Sequence, residues 1–186
     1  MRIISGYLKG KNIKLPRDKK TRPLRDLVKE SIFNIIHHSK QLNFKFENSK
    51  VLDLFSGTGS FGLECISRGS SKVIFNENYS SIIEILLKNI SNLDCEEKTQ
   101  VKKIDCLNMT NLNEIYDDKF DLIFLDPPFK TLNIDRLIIE IKKSNILKDK
   151  GLIILHRHKK NKDNFPNNFN VFFEKTYGLS KIFFGT

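Results

Sequence analysis

The stretch Val51-Leu52-Asp53-Leu54-Phe55-Ser56-Gly57-Thr58-Gly59 runs from an apolar strand into a glycine-rich turn. Glycines in such a turn let the backbone approach a ligand closely and adopt angles that other residues avoid. The spacing Asp-x-x-x-Gly-x-Gly differs from the dinucleotide pattern Gly-x-Gly-x-x-Gly and favours a ligand with a positively charged amino-acid end. The turn could also be a tight strand-to-helix connection, in which Asp53 only accepts backbone hydrogen bonds. The candidate cofactor residues in this stretch are Asp53, Phe55, Ser56, Gly57, Thr58 and Gly59.

Outward from this turn, strand and helix patterns alternate to the end of the chain, which is typical of an open α/β sheet. Seven strands are predicted, at 51–55, 72–76, 100–105, 120–126, 151–156, 170–174 and 180–184, with helices at 60–68, 81–90 and 134–144. Only a few residues around Tyr177 and Gly178 join the last two strands. We therefore predict a Rossmann-like, seven-stranded fold with an antiparallel last strand, because a parallel crossover needs a dozen or more residues.

The N-terminal region differs from this pattern. Candidate strands at 2–5 and 12–15 form a short hairpin with too few apolar residues for a core of its own. An amphipathic helix follows Pro23, with Asp26 as its predicted N-cap, and Ser81 with Glu84 has the spacing of a capping box on a later helix. We expect residues 1–40 to form an arm and helix that dock on a main domain at 41–186.

Two further carboxylates follow predicted strands. Glu77 comes directly after the second strand, at about the distance from Asp53 at which a doubly wound fold places the acid that binds ribose hydroxyls. On its own, a glutamate there would be ordinary surface charge. Asp105 ends the third strand and either accepts a hydrogen bond from an adenine amino group or caps a turn. Both are candidate cofactor residues.

The fourth predicted strand ends in Asp126-Pro127-Pro128-Phe129. Prolines explain why a strand stops, but not the acid before them or the aromatic after them. An exocyclic amine of a nucleobase is a poor nucleophile, so an enzyme must hold its hydrogens and turn its lone pair towards a methyl sulfonium. Asp126 and the Pro127 carbonyl supply two acceptors, and Phe129 offers a face on which the base stacks. These three are the candidate catalytic residues.

Composition limits the remaining possibilities. The net charge is +10, and residues 1–50 contain 13 Lys and Arg against 4 Asp and Glu. Part of this basicity is the Lys-rich usage expected of an A+T-rich genome, but its concentration marks the N-terminal segment for a polyanion. We expect no membrane span, no secretory signal, reduced cysteines at positions 65, 95 and 106, and a cytoplasmic protein. The pattern His156-Arg157-His158 has no cluster of further ligands, so we expect no metal.

The chain resembles the bacterial small-subunit ribosomal RNA guanine-N2 methyltransferases of the RsmD type over essentially its whole length. The resemblance rests on Arg2-Ile3-Ile4-Ser5-Gly6, Lys9-Gly10-Lys11, Arg22-Pro23, the helix 26–34, the stretch 53–69 and 126–129. It implies a class I methyltransferase fold, S-adenosylmethionine as cofactor, and methylation of one guanine N2 in 16S rRNA of the small subunit or an assembly intermediate. Arg2, Lys9, Lys11, Arg22 and Arg25 would contact this RNA. The chain departs from the family pattern at Leu24-Arg25, where threonines are usual, and at Asn78.

The sequence leaves three alternative functions to consider. An adenine-N6 or cytosine-N4 methyltransferase needs the same Asp-Pro-Pro-aromatic geometry, although this short chain lacks a target-recognition domain. A basic RNA-binding protein of ribosome assembly would retain the fold without catalysis. A nicotinamide oxidoreductase is disfavoured by the spacing of the glycine turn. We expect the protein to act as a monomer.

Overall fold

A seven-stranded sheet forms the centre of the protein, which is described by a computed structural model over residues 1–16, 24–39, 42 and 44–186. The strands are β1 (Lys50–Leu54), β2 (Lys72–Asn76), β3 (Thr99–Lys102), β4 (Phe120–Leu125), β5 (Leu147–His158), β6 (Val171–Tyr177) and β7 (Ser180–Gly185). Their order in the sheet is β3-β2-β1-β4-β5-β7-β6. The first five are parallel, while β7 runs antiparallel to both β5 and β6. The seven predicted strands and the antiparallel last strand are confirmed.

Helices cover both faces of the sheet. They are α1 (Asp26–His38), α2 (Ser60–Ser67), α3 (Ser80–Asn92), α4 (Leu112–Ile115) and α5 (Ile134–Lys143). Alternate residues along β1 face opposite cores: Val51 packs with α1, α2 and α3, whereas Leu52 packs with α4 and α5. Parallel strands buried on both faces read as continuous apolar runs, which is why the sequence predicts them well. In the described part of the chain, no helix combines the length and apolarity that crossing a bilayer requires.

The N-terminal arm, residues 1–16, packs into the first of these cores through Ile3, Leu8 and Ile13. Instead of the two predicted strands it contains a single isolated bridge between Arg2 and Asn12. Four backbone N–H groups of the arm donate hydrogen bonds to two residues of α2. The Glu64 carboxylate accepts the backbone N–H groups of residues 4 and 5 at 2.7 and 3.0 Å. The backbone carbonyl of Ser67 accepts the N–H of residue 7 at 2.9 Å, and its hydroxyl accepts that of residue 8 at 3.0 Å.

The arm also fits closely against α2 and contacts α1. A Cβ on Gly6 would lie 1.8 Å from the Ser67 carbonyl oxygen, so only glycine allows this approach. From α1, the buried Lys29 ammonium donates to the Arg2 carbonyl at 2.8 Å. The arm is thus held in place by hydrogen bonds, apolar burial and backbone contact together.

Both predicted helix caps are wrong. Asp26 is the first residue of α1, and Arg25 occupies the cap position without a side-chain hydrogen bond. Helix α3 begins at Ser80 after Tyr79, and neither Ser81 nor Glu84 forms a capping box. The N–H of Tyr79 is instead accepted by the Glu77 carboxylate at 3.0 Å. A side chain fixed at the end of β2 therefore replaces the local cap that the pattern suggested.

Other boundaries also differ from the predictions. Strand β3 ends at Lys102 rather than at residue 105, and a short 3-10 turn at Cys106–Asn108 follows it. Strand β5 begins four residues before the predicted start because the polar residues 148–150 are exposed yet extended. Helix α4 has only four residues and was not predicted. The three cysteines are free and buried.

Candidate active site

The carboxyl ends of β1, β2 and β4 open into one cavity of about 440 Å³. A volume of this size suits a small-molecule ligand or cofactor, and this edge is where open α/β sheets bind them. Most of the predicted site residues line the cavity: Asp53, Phe55, Ser56, Gly57, Thr58, Glu77, Asp105, Asp126, Pro127 and Phe129. Leu24 and Arg25, which precede α1, contribute to its wall as well.

Gly59 is the predicted cofactor residue that does not line the cavity in the described structure. It is instead the N-cap of α2, with a φ of 82° in the left-handed region. A Cβ at this position would lie 2.5 Å from the Leu86 side chain. Gly59 thus shapes the turn from behind, while Gly57 presents backbone to the cavity.

Asp53 is fully buried at the base of the cavity. One carboxylate oxygen accepts the N–H of Gly62 at 3.0 Å, and the other has no hydrogen-bond partner within the described residues. Burial raises the pKa of the Asp53 carboxyl well above its usual value, and the charges of Asp126 and Glu77 raise it further. The neighbouring hydroxyls of Ser56 and Ser60 are also buried without a described partner.

Glu77 is held by three backbone N–H groups. Its Oε2 accepts from Gly57 at 2.9 Å, and its Oε1 accepts from Asn78 and Tyr79 at 2.9 and 3.0 Å. These bonds tie the acid at the end of β2 to the glycine turn after β1. The carboxylate is therefore oriented before any ligand binds.

Asp105 caps the 3-10 turn that follows β3. Its oxygens accept the N–H of Leu107 at 3.1 Å and the side-chain amide of Asn108 at 2.8 Å. Asp105 is nevertheless part of the cavity wall. The two alternatives that the sequence left open for this residue are thus compatible, because a capping carboxylate retains further acceptor capacity.

Asp126 leaves the end of β4 beside a histidine that the sequence analysis considered only as a metal ligand. The Asp126 Oδ1 lies 2.7 Å from Nδ1 of His156, whose side chain is 5% exposed against 18% for Asp126. Because Leu125 pairs with Leu155, the two residues emerge from adjacent parallel strands in register. No pattern within either strand predicts this contact, which depends on the pairing of β4 with β5. The described residues contain no group of three potential metal ligands.

The loop after Asp126 is braced by residues to which the sequence analysis assigned no such role. Arg157 is buried and donates to both oxygens of Asp163 at 2.7–3.0 Å, and to the Thr131 carbonyl at 2.7 Å. The side chain of Asn161 donates to the Phe129 carbonyl at 3.0 Å. The segment 157–163 therefore holds the loop 127–131 from outside.

Phe129 packs edge-on against two rings of β5. Its centroid lies 5.5 Å from that of His156 and 5.1 Å from that of His158. Pro127 is buried, so the peptide after Asp126 has little freedom. The loop thus presents a carboxylate, a carbonyl and an aromatic ring from a rigid support.

Four of the five predicted RNA-contacting residues are described, and they lie outside the cavity or at its rim. Arg2, Lys9 and Lys11 are exposed on the arm, and Arg25 is exposed while lining the cavity. Arg22 lies outside the described residues. The basic arm and the mouth of the cavity are linked through Arg25 and the start of α1.

Comparisons with known proteins agree with this architecture. The family described as conserved hypothetical protein 95 matches residues 1–186. Ribosomal RNA small subunit methyltransferase D of Haemophilus influenzae is 31% identical over 183 residues, which cover 96% of this chain and 90% of the relative. The protein of the same name from Buchnera aphidicola subsp. Baizongia pistaciae is 34% identical over 167 residues, covering 84% and 76%.

The fold is also found in a solved structure. An Escherichia coli protein superimposes with a TM-score of 0.79 over 100% of this chain and 96% of its own, at 24% identity. At that identity the likeness establishes the fold alone. The family model, in contrast, matches the whole chain, and the relatives named above agree with it. This chain therefore belongs to the conserved hypothetical protein 95 family, that of the RsmD methyltransferases.

Proposed function

We propose that the protein transfers a methyl group from S-adenosylmethionine to the exocyclic N2 amine of one guanine in 16S rRNA. The observation that carries this proposal is the meeting of two residue sets in one cavity. Asp53, Glu77 and the glycine turn form one wall, and Asp126 with Phe129 forms another. The relatives' name, small-subunit rRNA methyltransferase, gives the substrate class.

The cavity suits this cofactor for an electrostatic reason. The charges of Glu77 and Asp126 act on Asp53, and one buried oxygen of Asp53 has no donor among the described residues. S-adenosylmethionine carries an ammonium and a sulfonium, and both charges would relieve this repulsion. We propose that Asp53 and residues 55–59 hold the methionine end, that Glu77 holds the ribose, and that Asp105 holds the adenine.

When bound, S-adenosylmethionine supplies a methyl group on a sulfonium that leaves as a neutral thioether. The protein contributes mainly position. Asp126 and the Pro127 carbonyl accept the hydrogens of the target amine, so its lone pair turns towards the methyl group. Phe129 stacks on the base, which is unpaired or flipped out of its helix. The amine proton leaves to Asp126 or to water.

The RNA would be held along the arm. Arg2, Lys9, Lys11, Arg22 and Arg25 supply charges for phosphates, which position the nucleic acid without reading its sequence. We assign RNA contact and cofactor cover to residues 1–40 and catalysis to residues 41–186. The substrate is the small subunit or its assembly intermediate in the cytoplasm, and the enzyme acts as a monomer.

The test is transfer of labelled methyl from S-adenosylmethionine to small ribosomal subunits that lack the native modification, followed by nucleoside analysis. We expect N2-methylguanosine as the single product. Asp126→Ala should bind the cofactor and lose at least about a hundredfold in turnover, because the amine is no longer held. Glu77→Ala serves as the opposite control, since it should weaken cofactor binding first.

Other outcomes of this assay would support one of the alternative functions. N6-methyladenosine or N4-methylcytidine would retain the fold and cofactor but replace the target base. An absence of transfer to subunits, naked rRNA and DNA would favour the non-catalytic assembly protein, whose RNA function should survive Asp126→Ala.

A further inference from the structure

We infer that His156 is a positioning residue for methyl transfer, which holds one oxygen of Asp126 so that the other faces the target amine. This inference rests on the proposed function and extends it to a residue outside the Asp-Pro-Pro-Phe motif. The inference rests on the contact between His156 Nδ1 and Asp126 Oδ1, which lie 2.7 Å apart.

The environment of the second ring nitrogen identifies the donor. His156 Nε2 is buried and has no hydrogen-bond partner within the described residues. A protonated ring would bury a second N–H with no acceptor among the described residues, and leaving a buried donor unsatisfied is unfavourable. The neutral tautomer with hydrogen on Nδ1 avoids this, because Nε2 then carries a lone pair instead of an N–H. His156 therefore donates and the Asp126 carboxylate accepts.

This bond divides the two oxygens of Asp126 between two tasks. The terminal torsion of an aspartate has a broad, nearly two-fold preference, so a carboxylate with no fixed partner samples many orientations. The Asp126 side chain is 18% exposed, and no described side chain other than His156 donates to it. With Oδ1 occupied, Oδ2 is left as the acceptor at the cavity, in a fixed direction.

The histidine is itself held firmly. Strand β5 lies between β4 and β7, and His156 pairs with Ile182 of β7. The Phe129 ring packs against the imidazole edge-on. A residue with 5% of its side chain exposed, paired with β7 and one position beyond the pairing with β4, has little freedom to move. It can therefore transmit the rigidity of the sheet to a carboxylate at the end of a strand.

The experiment compares His156→Ala, His156→Asn and His158→Ala for kcat, KM and cofactor Kd on small subunits. Asparagine retains a short N–H donor near the position of Nδ1, whereas alanine removes it. We expect His156→Ala to lower kcat about 10- to 100-fold with cofactor Kd within about twofold of wild type. His156→Asn should recover most of that loss. His158→Ala removes a ring that also packs on Phe129 without touching Asp126, and should lower kcat much less.

A double-mutant cycle with Asp126→Ala separates this inference from the proposed function. If His156 acts through Asp126, adding His156→Ala to Asp126→Ala should cause no further loss of kcat. Additive losses, or an asparagine variant as poor as the alanine variant, would overturn the positioning role. A wild-type protein that transfers no methyl group, or an Asp126→Ala variant with full activity, would instead overturn the proposed function.

Discussion

Asp53 illustrates how a single residue can favour ligand binding while it lowers the stability of the ligand-free protein. Its carboxylate is buried with one oxygen that has no hydrogen-bond partner in the described part of the chain, next to the charges of Asp126 and Glu77. Such a group is costly until a cation arrives. Residues of this kind are expected at sites built for a charged ligand, and they are the residues whose replacement stabilises a protein while removing its function.

We predict that Asp53→Asn raises the melting temperature of the cofactor-free protein by about 2–4 °C, the shift that corresponds to roughly 1 kcal/mol in a chain of this size. The amide retains the shape and can still accept the Gly62 N–H. The same variant should lose most of its affinity for S-adenosylmethionine. Calorimetry with and without cofactor checks both parts, and a lower melting temperature for the variant would contradict the assignment.

The pH dependence of this effect has a definite sign. Burial raises the pKa of Asp53 in the folded protein above its value in the unfolded chain. The folded state therefore holds the proton more tightly, and the wild type loses stability as pH rises from the unfolded pKa, about 4, through the folded pKa. The asparagine variant has no such loss at this site. Its advantage should be absent in acid and should grow as the pH rises.

At the scale of elements, the loop 127–131 depends on β5 and the segment after it. Arg157 joins them through Asp163 and the Thr131 carbonyl, with side chains that are 1% and 5% exposed for the ion pair. A buried ion pair of this kind contributes little net stability, but removing one partner leaves the other charge buried and unpaired.

We expect Asp163→Ala to lower the free energy of unfolding by about 3–5 kcal/mol, because the Arg157 guanidinium would be left buried without its counter-ion. Denaturant unfolding measures this loss. Replacing both residues, as Arg157→Met with Asp163→Leu, should restore most of the stability. If the double variant were as unstable as the single one, the stranded charge would not be the cause.

The elements also show how far the sequence could be read. The buried strands follow from apolar runs, and the tight turn after β1 follows from its glycines. The cap predicted at Ser81 failed because Glu77, which precedes the helix at the end of β2, accepts the backbone N–H at the start of α3. The contact of His156 with Asp126 spans 30 positions and exists only through strand register. Local patterns carry no information about such partners.

On the scale of the whole molecule, charge is concentrated in the N-terminal part of the chain. Residues 1–50 contain 13 of the 32 Lys and Arg. In the described structure, Arg2, Lys9 and Lys11 of the arm are exposed and form no ion pair with an acidic side chain. Unpaired cations on one side are available for phosphates, and their release of counter-ions makes binding sensitive to salt.

We predict that alanine at Lys9 or Lys11 weakens RNA binding and reduces the slope of log K against log salt concentration by about 0.7–0.9 per residue. Lys150→Ala is the matched control, since Lys150 is exposed near the amino-terminal end of β5, away from the cavity. Filter binding at several salt concentrations gives the slopes. Equal slopes for the arm and control variants would show that the arm does not contact the RNA backbone.

The attachment of the arm to α2 has one more consequence. That helix has eight residues, begins at the glycine turn beside the cavity, and accepts backbone hydrogen bonds from the arm through Glu64 and Ser67. RNA that binds the arm and displaces it can therefore affect the cofactor-binding wall of the cavity through this one short helix. Coupling between two binding sites is reciprocal. If bound RNA changes the affinity for the cofactor by some factor, bound cofactor must change the affinity for RNA by the same factor. Under the proposed function, the demethylated cofactor lacks the sulfonium charge, so any difference in its coupling to the arm would change the affinity for RNA at the end of the reaction.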